Sequence, residues 1–457
     1  MKIDLKKIPA VSKLLESPEF QDLKISRNVK KFFISKVLNK IRNNDTNTIK
    51  KTFSEDDLKI TRLATEISAF ISRELPLKKA VLNGTGIILH TGLGRAPLSE
   101  DATTALELAA GYNLVQADRL SGARTTREEL IEEIIRELTG AEATTVVNNN
   151  AAATFMILNT ICKGKEVIIS RGQLVEIGGS YRMPDIIVES GCIMKEIGTT
   201  NKTHIRDYED AISEDTGAIL FVHQSNFKIE GFASHPSISE LGALGKKHQI
   251  PVLADLGSGA LIDLKDFGLP HEDTIKDVIA AGVSLCCYSG DKLIGGPQAG
   301  IISGNFDDIN KIRKNIYSRM FRVCKLTLRS LESTLLAFLD KDTLSSIPLY
   351  KTLSTTSETL EKRGRHILKE IGDNKNFTLI DSAAYLGSGA LPTNKIPSKA
   401  LSFKFKTELE SENFNQKLRF STPAVFPRIS NSEVIIDLKT IDDSEDTLLI
   451  SIIKNIL

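Results

Sequence analysis

The chain has 457 residues, of which 41% are hydrophobic and 26% charged. That length exceeds what a single core serves, so two or three domains are expected, with the composition of an ordinary globular protein rather than a disordered or fibrous one. The net charge of +1 excludes a uniformly basic or acidic chain, but residues 1–54 hold thirteen basic and five acidic residues, net +8, against 46 and 53 in the remainder, net −7.

The start, "MKIDLKKIPAVSKLL", is basic and lacks the apolar core and small-residue cleavage site of a signal peptide. "IPAVSKLLESPEF" and "NVKKFFISKVLNKIRNN" read as helices, the second with Val29, Phe32, Phe33, Val37 and Ile41 at three- and four-residue spacing. A further helix is expected through "SEDDLKITRLATEISAFISRE", opened by Ser54 as N-cap and ended by Pro76. "LPLKKAVLNGTG" then reads as a linker into the main body. A basic module on a mildly acidic body suggests a polyanion partner. On charge alone a solvated helical face explains it more simply.

From about residue 80 to 345, short apolar runs alternate with helical stretches. The runs are "TTVV" (144–147), "EVIIS" (166–170), "CIMKEIG" (192–198), "AILFVHQ" (218–224), "PVLADLG" (251–257), "SLCCYSG" (284–290) and "AGIISG" (299–304). They are rich in Val and Ile without strict alternation, as strands buried on both faces are. This predicts an α/β domain around a mostly parallel sheet. A helix pair over "NKIRKNIYSRMFRVCKLTLRSLESTLLAFL" follows. The tail, 346–457, holds the helix "SETLEKRGRHILKEIG" and the strands "ALSFKF" and "EVIIDL", a smaller α+β domain. The expected division is 1–75 helical, 76–345 large α/β and 346–457 small α+β. No run approaches the ~20 apolar residues of a membrane helix. The five cysteines form no CxxC pair, which argues against a disulfide or zinc framework, so no metal is expected and a reducing cytoplasm fits.

Ligands of such sheets bind beyond the C-terminal strand ends. There "VVNNNAAA" leaves a strand for a helix at Asn148, Asn149, Asn150 and Ala151, with free N–H groups and small residues that suit a phosphate. Asp255 ends a second strand, Ser225 and Asn226 follow a third, and Ser289 precedes Lys292 after a fourth. A lysine, an aspartate and a phosphate cradle at one sheet edge are what pyridoxal 5′-phosphate requires. The lysine forms the Schiff base, the aspartate holds the pyridine nitrogen protonated, and the helix start with Ser289 holds the phosphate. Taken alone, Lys292 is as well explained by a helix cap or by pairing with Asp291. His90 and His223, at strand ends, are candidates for stacking on or hydrogen bonding the cofactor, and equally for structural histidines. Arg171, Arg182 and Arg124 are weaker candidates for phosphate or carboxylate contact. Cys286 and Cys287, adjacent on a strand, are expected to face opposite sides and to pack.

The stretches "VLNGTGIILHTGLGRAPL", "VVNNNAAATFMILNT", "SRGQLVEIGGSYRMPDI", "GTTNKTH", "SNFKIEGF", "DLGSGALID" and "SGDKLIGGPQAGII" together resemble the bacterial selenocysteine synthase family, the L-seryl-tRNA(Sec) selenium transferases. The resemblance implies a fold-type I pyridoxal phosphate enzyme that turns seryl-tRNA(Sec) into selenocysteinyl-tRNA(Sec) with selenophosphate as donor. It further implies an N-terminal helical domain that holds the tRNA, and a homo-oligomeric ring built from dimers, such as a decamer. By position, Lys292 is the Schiff-base lysine with Asp291 beside it. Arg95, Arg319 and Arg322 fall where the family keeps the arginines of the selenium donor. Guanidinium forks suit such an oxyanion, and Arg319 and Arg322 share a face if their segment is helical. Two other readings stand beside this one. A pyridoxal phosphate ammonia-lyase of an amino sugar or amino acid would use the same core, but needs no basic module. A non-catalytic tRNA-binding protein would not need an intact Lys292 and Asp255. A cysteine desulfurase has less support, since nothing marks a mobile-loop cysteine.

Overall fold

The computed structural model describes residues 8–21, 23–43, 59–74, 80–179, 181–224, 227, 229, 231–372, 375–387, 391 and 393–457. Four helices open it: α1 (Val11–Leu15), α2 (Pro18–Gln21), α3 (Arg27–Arg42) and α4 (Ile60–Glu74). Their core is their own, with Leu14, Phe20, Ile34, Val37, Leu38, Ile41, Leu63, Ile67 and Ile71 buried together. Ser26 caps α3 by accepting from the Val29 N–H. The buried face of α3 runs through Ile34, Val37, Leu38 and Ile41, so the expected stripe holds only in part. Val29 is exposed, and Phe32 stands 63% exposed on a helix where Arg27, Lys31 and Lys36 are exposed as well. The expected cap Ser54 and the stop at Pro76 lie outside the described residues.

The next segment departs from the linker reading. Residues Val81–Gly84 form β1, which runs parallel to a strand of the C-terminal sheet, with Val81 opposite Ala424. The chain then enters the large α/β region. Its strands are β2 (Ala143–Val147), β3 (Glu166–Ser170), the two-residue hairpin arms β4 (Glu176–Ile177) and β5 (Tyr181–Arg182), β6 (Ile193–Ile197), β7 (Thr216–Val222), β8 (Val252–Gly257), β9 (Leu285–Ser289) and β10 (Gly300–Gly304). Apart from the hairpin they form one seven-stranded sheet in the order β2-β10-β9-β8-β7-β3-β6. All seven apolar runs are its strands. The run from β9 to β6 is parallel, and β10 is antiparallel to both its neighbours.

Alternate side chains feed two cores, one per face, as the period of two requires. Ile219, Phe221, Cys286 and Tyr288 enter one; Leu220, Val222, Leu285 and Cys287 enter the other. The adjacent cysteines therefore do face opposite sides and pack. The expected helix pair after β10 is three pieces, Phe306–Lys314, Tyr317–Met320 and Lys325–Leu336.

The tail adds β11 (Phe377–Ala384), β12 (Ile396–Lys404), β13 (Ala424–Ser430) and β14 (Glu433–Asp437), which with β1 form a sheet ordered β1-β13-β14-β12-β11. Helices Ser357–Ile371, Glu408–Arg419 and Asp446–Ile456 contribute Leu360, Ile367, Phe414, Leu418, Leu449 and Ile453 to its core. Tyr350, Ala384, Leu386 and Ile396 pack into the core of the large sheet instead. Among the described residues no helix is long and apolar enough to cross a membrane.

Candidate active site

The C-terminal ends of β7, β8 and β9 converge on a cleft of about 220 Å³ lined by Asn149, Asn150, Ala151, Val222, His223, Asp255, Ser289, Asp291 and Lys292, with Arg95, Tyr181 and Gln298 at its walls. Lys292 follows β9 on a tight turn and is 8% exposed. The turn needs Gly290, because a Cβ there would stand 2.7 Å from the Pro297 carbonyl oxygen. Burial lowers the Lys292 pKa, and the Asp255 charge works against that shift.

Asp255, 6% exposed at the end of β8, is held by three donors. Asn150 Nδ2 donates to Oδ1 at 2.7 Å, Thr154 Oγ1 to Oδ2 at 2.8 Å, and the Gly257 N–H to Oδ1 at 3.1 Å. Burial raises its pKa; the Asn150 and Thr154 bonds oppose the rise. A fixed carboxylate of this kind suits a protonated ring nitrogen, which no described side chain supplies.

Beside it, helix Asn150–Ile161 aims its N-terminus at the cleft. Asn149 accepts from the Ala152 N–H at 2.9 Å and so caps the helix. Among the described residues the N–H groups of Asn150 and Ala151 find no acceptor, and a phosphate fits there. The four-residue cradle is thus narrower than its sequence suggests. Asn148 is exposed, and its N–H donates to the Phe321 carbonyl at 2.9 Å. Asn150 turns its side chain to Asp255, leaving its own Oδ1 buried without a partner. Ser289 lines the cleft as expected. Ser225 and Asn226 lie outside the described residues.

Asp291 does not point free. Its Oδ2 lies 2.6 Å from Arg95 Nη1, and Arg95 adopts a left-handed backbone, φ 64°, after Gly94. Arg95 therefore reaches the cleft already paired. Arg319 and Arg322 do not share a helical face: the helix ends at Met320, and Arg322 forms an antiparallel bridge with Val147. Both are exposed and neither lines the cleft. They gather with Arg127, whose pKa is lowered by burial and by the charges of Arg322 and Arg319. The bridge to Val147 sets this cationic group beside the start of the phosphate helix. Arg171 and Arg182 are in ion pairs with Glu196 and Glu176. Neither they nor Arg124 and His90 line the cleft; of the two histidines His223 does.

Thr154 and Tyr181 escaped the sequence reading. Thr154 sits one turn into a helix whose apolar pattern hides it. Tyr181 arrives on the small β4–β5 hairpin, and its hydroxyl is buried. The only sequence signal for Tyr181 is its place inside one of the resembling stretches.

The sequence model of a family described as SelA, L-seryl-tRNA selenium transferase, matches residues 81–442. The chain belongs to the L-seryl-tRNA selenium transferase family. A relative from Carboxydothermus hydrogenoformans, named L-seryl-tRNA(Sec) selenium transferase, is 40% identical over 447 residues, covering 96% of this chain and 95% of that one. Another of that name, from Alkaliphilus metalliredigens, is 43% identical over 383 residues, 83% of this chain and 82% of its own. Among solved structures, D-glucosaminate-6-phosphate ammonia-lyase superposes with a TM-score of 0.60 at 19% identity, over 84% of this chain and 97% of that one. That likeness concerns the fold, the fold-type I arrangement of pyridoxal phosphate enzymes with a mostly parallel central sheet.

Proposed function

We propose that this protein converts L-seryl-tRNA(Sec) to L-selenocysteinyl-tRNA(Sec), using pyridoxal 5′-phosphate as cofactor and selenophosphate as selenium donor. The observation that carries the reading is the buried Lys292 and Asp255 in one cleft with an open helix N-terminus, in a chain alike over nearly its whole length to transferases of that name. When bound, the cofactor supplies an electron sink for the carbon next to the substrate amine. Lys292 holds the cofactor covalently and, once freed, takes the α-proton; burial favours its neutral form. Asp255, fixed by Asn150 and Thr154, keeps the ring nitrogen protonated. Asn150 and Ala151 N–H groups and Ser289 receive the phosphate.

Arg95, Arg319 and Arg322 are proposed to take the donor. Arg95 then presents selenophosphate from its ion pair with Asp291, while Arg319 and Arg322 add cationic charge. Residues 1–75 form the tRNA-binding module, 76–345 the cofactor domain, apart from β1, which joins the C-terminal sheet, and 346–457 the small domain, in a cytoplasmic homo-oligomeric ring built from dimers. The exposed Phe32 of α3, with Arg27, Lys31 and Lys36 exposed on the same helix, supports the module's role, because cations meet phosphate and an aromatic ring stacks on bases. It also favours this reading over a small-molecule ammonia-lyase, which needs no such surface.

The test is single turnover with labelled seryl-tRNA(Sec), with and without donor. Replacing Arg319 or Arg322 with Ala removes a charge-assisted contact worth roughly 1.5–3 kcal/mol, about ten- to more than a hundredfold in rate or donor affinity. The loss is expected in selenium addition, with release of water from the seryl group spared. Failure already at α-proton loss would assign these arginines to the tRNA end instead. Borohydride should fix the cofactor to the peptide bearing Lys292; labelling of another lysine would overturn the central assignment.

A further inference from the structure

Release of water from the seryl side chain needs an acid at the β-oxygen, and Lys292 is occupied with the α-proton. Two buried polar atoms near it have no use in the account above. His223 follows β7 beside Asp255, its backbone N–H donating to the Asp255 carbonyl at 2.9 Å, and its Nδ1 is buried without a partner among the described residues. Glu272 is 5% exposed; Oε1 accepts a long bond, 3.3 Å, from the Leu391 N–H, and Oε2 is buried without a partner among the described residues. His223 belongs to two spaces at once. It lines the Lys292 cleft and also a second cavity of about 380 Å³, whose wall includes Glu272, His235 and His271. His223 therefore borders both the reacting centre and a second, polar space.

An unpaired buried carboxylate oxygen and an unpaired buried ring nitrogen each cost free energy, and a water bridging the two relieves both. Burial raises the Glu272 pKa, and the charges of His223 and Lys292 oppose that rise, which places the three groups within each other's field.

Resting on the function proposed above, we propose that His223 is the acid that protonates the departing β-hydroxyl, with Glu272 as the positioning residue that holds its Nδ1. The electron pair of the Cα–H bond becomes the Cα=Cβ bond. The Cβ–O bond breaks with its pair on oxygen, which takes the proton carried at His223 Nε2 and leaves as water. Lys292 keeps the α-proton. Solvent in the second cavity restores a proton to the Glu272–His223 pair.

The test compares leaving groups in the full-length holoenzyme. tRNA(Sec) carrying serine is set against tRNA(Sec) carrying β-chloroalanine, whose chloride departs without a proton. His223→Gln should slow elimination from the seryl ester by about a hundredfold or more, yet leave the chloro substrate within about threefold of the native rate. Glu272→Gln should show the same pattern more weakly. Visible absorbance of the bound cofactor and tRNA affinity should match the native protein in both variants. Equal slowing on both substrates overturns the proposal. So does loss of the cofactor absorbance in His223→Gln, which would make the imidazole a cofactor contact. If His223→Gln does not fold, the Glu272→Gln comparison decides by the same criteria. Native enzyme that releases no water from seryl-tRNA(Sec) would defeat the parent reading instead.

Discussion

The role proposed for Asp255 calls for an anion where burial raises its pKa, and three hydrogen bonds oppose that rise. Thr154 Oγ1 also reaches the Asn150 carbonyl of its own helix at 3.0 Å, and Thr154→Val, which keeps the shape and removes the hydroxyl, tests its part in holding Asp255. Losing a hydrogen bond to a buried charged group costs roughly 1.5–3 kcal/mol, and denaturant unfolding of the cofactor-free protein should register a drop of that size. Lys292 has the opposite problem. Burial lowers its pKa, the Asp255 charge raises it and the Arg95 charge lowers it. Cofactor attachment needs the neutral amine, so its rate should climb with pH and level off below the ~10.4 of an ordinary lysine. Asp255→Asn removes a group that favours the ammonium and should move the midpoint to lower pH; Arg95→Met should move it up. Stopped-flow mixing of the cofactor-free protein with pyridoxal phosphate across pH reads both. A midpoint unmoved by either change would mean that these charges do not reach the amine.

The phosphate helix depends on a strand beside it as much as on its own cap. β10 passes so close that a Cβ at Gly300 would stand 2.1 Å from the Asn149 carbonyl oxygen, a backbone atom with little room to give. Gly300→Ala should therefore displace the helix start and weaken cofactor binding by about tenfold or more, about 1.4 kcal/mol, while the sheet persists by circular dichroism. The strands of the large sheet were legible because they are buried on both faces and read as unbroken apolar runs. β11 and β13 were not, since most of their residues are only half-buried and their pattern lacks contrast. At the site, Asp255 and Lys292 were visible at strand ends. His223 was visible at a strand end as well, whereas Thr154, Tyr181 and Glu272 were not, because residues distant in sequence set their surroundings. The shared face of Arg319 and Arg322 failed because the Phe321 carbonyl leaves the helix to accept from Asn148.

At the scale of the molecule, the opening helices keep a core apart from the others, and among the described residues the C-terminal core draws on Leu82 but on nothing before it. Removing residues 1–75 should leave a folded protein that still turns yellow with cofactor. Affinity for tRNA(Sec) should fall sharply, and the intact protein should lose affinity linearly in log salt as phosphate contacts release counterions. Filter binding at several salt concentrations measures both, and unchanged affinity after truncation would remove the module's role. The attachment point adds a mechanical consequence. The chain that carries the module enters the body through β1, an edge strand lying parallel to β13 over four residue pairs. A pull on the chain along that strand loads its ladder in shear, with the hydrogen bonds sharing the force instead of opening one after another. The tension ends in the five-stranded sheet, so the strand ends that carry Asp255 and Lys292 stay off the load path.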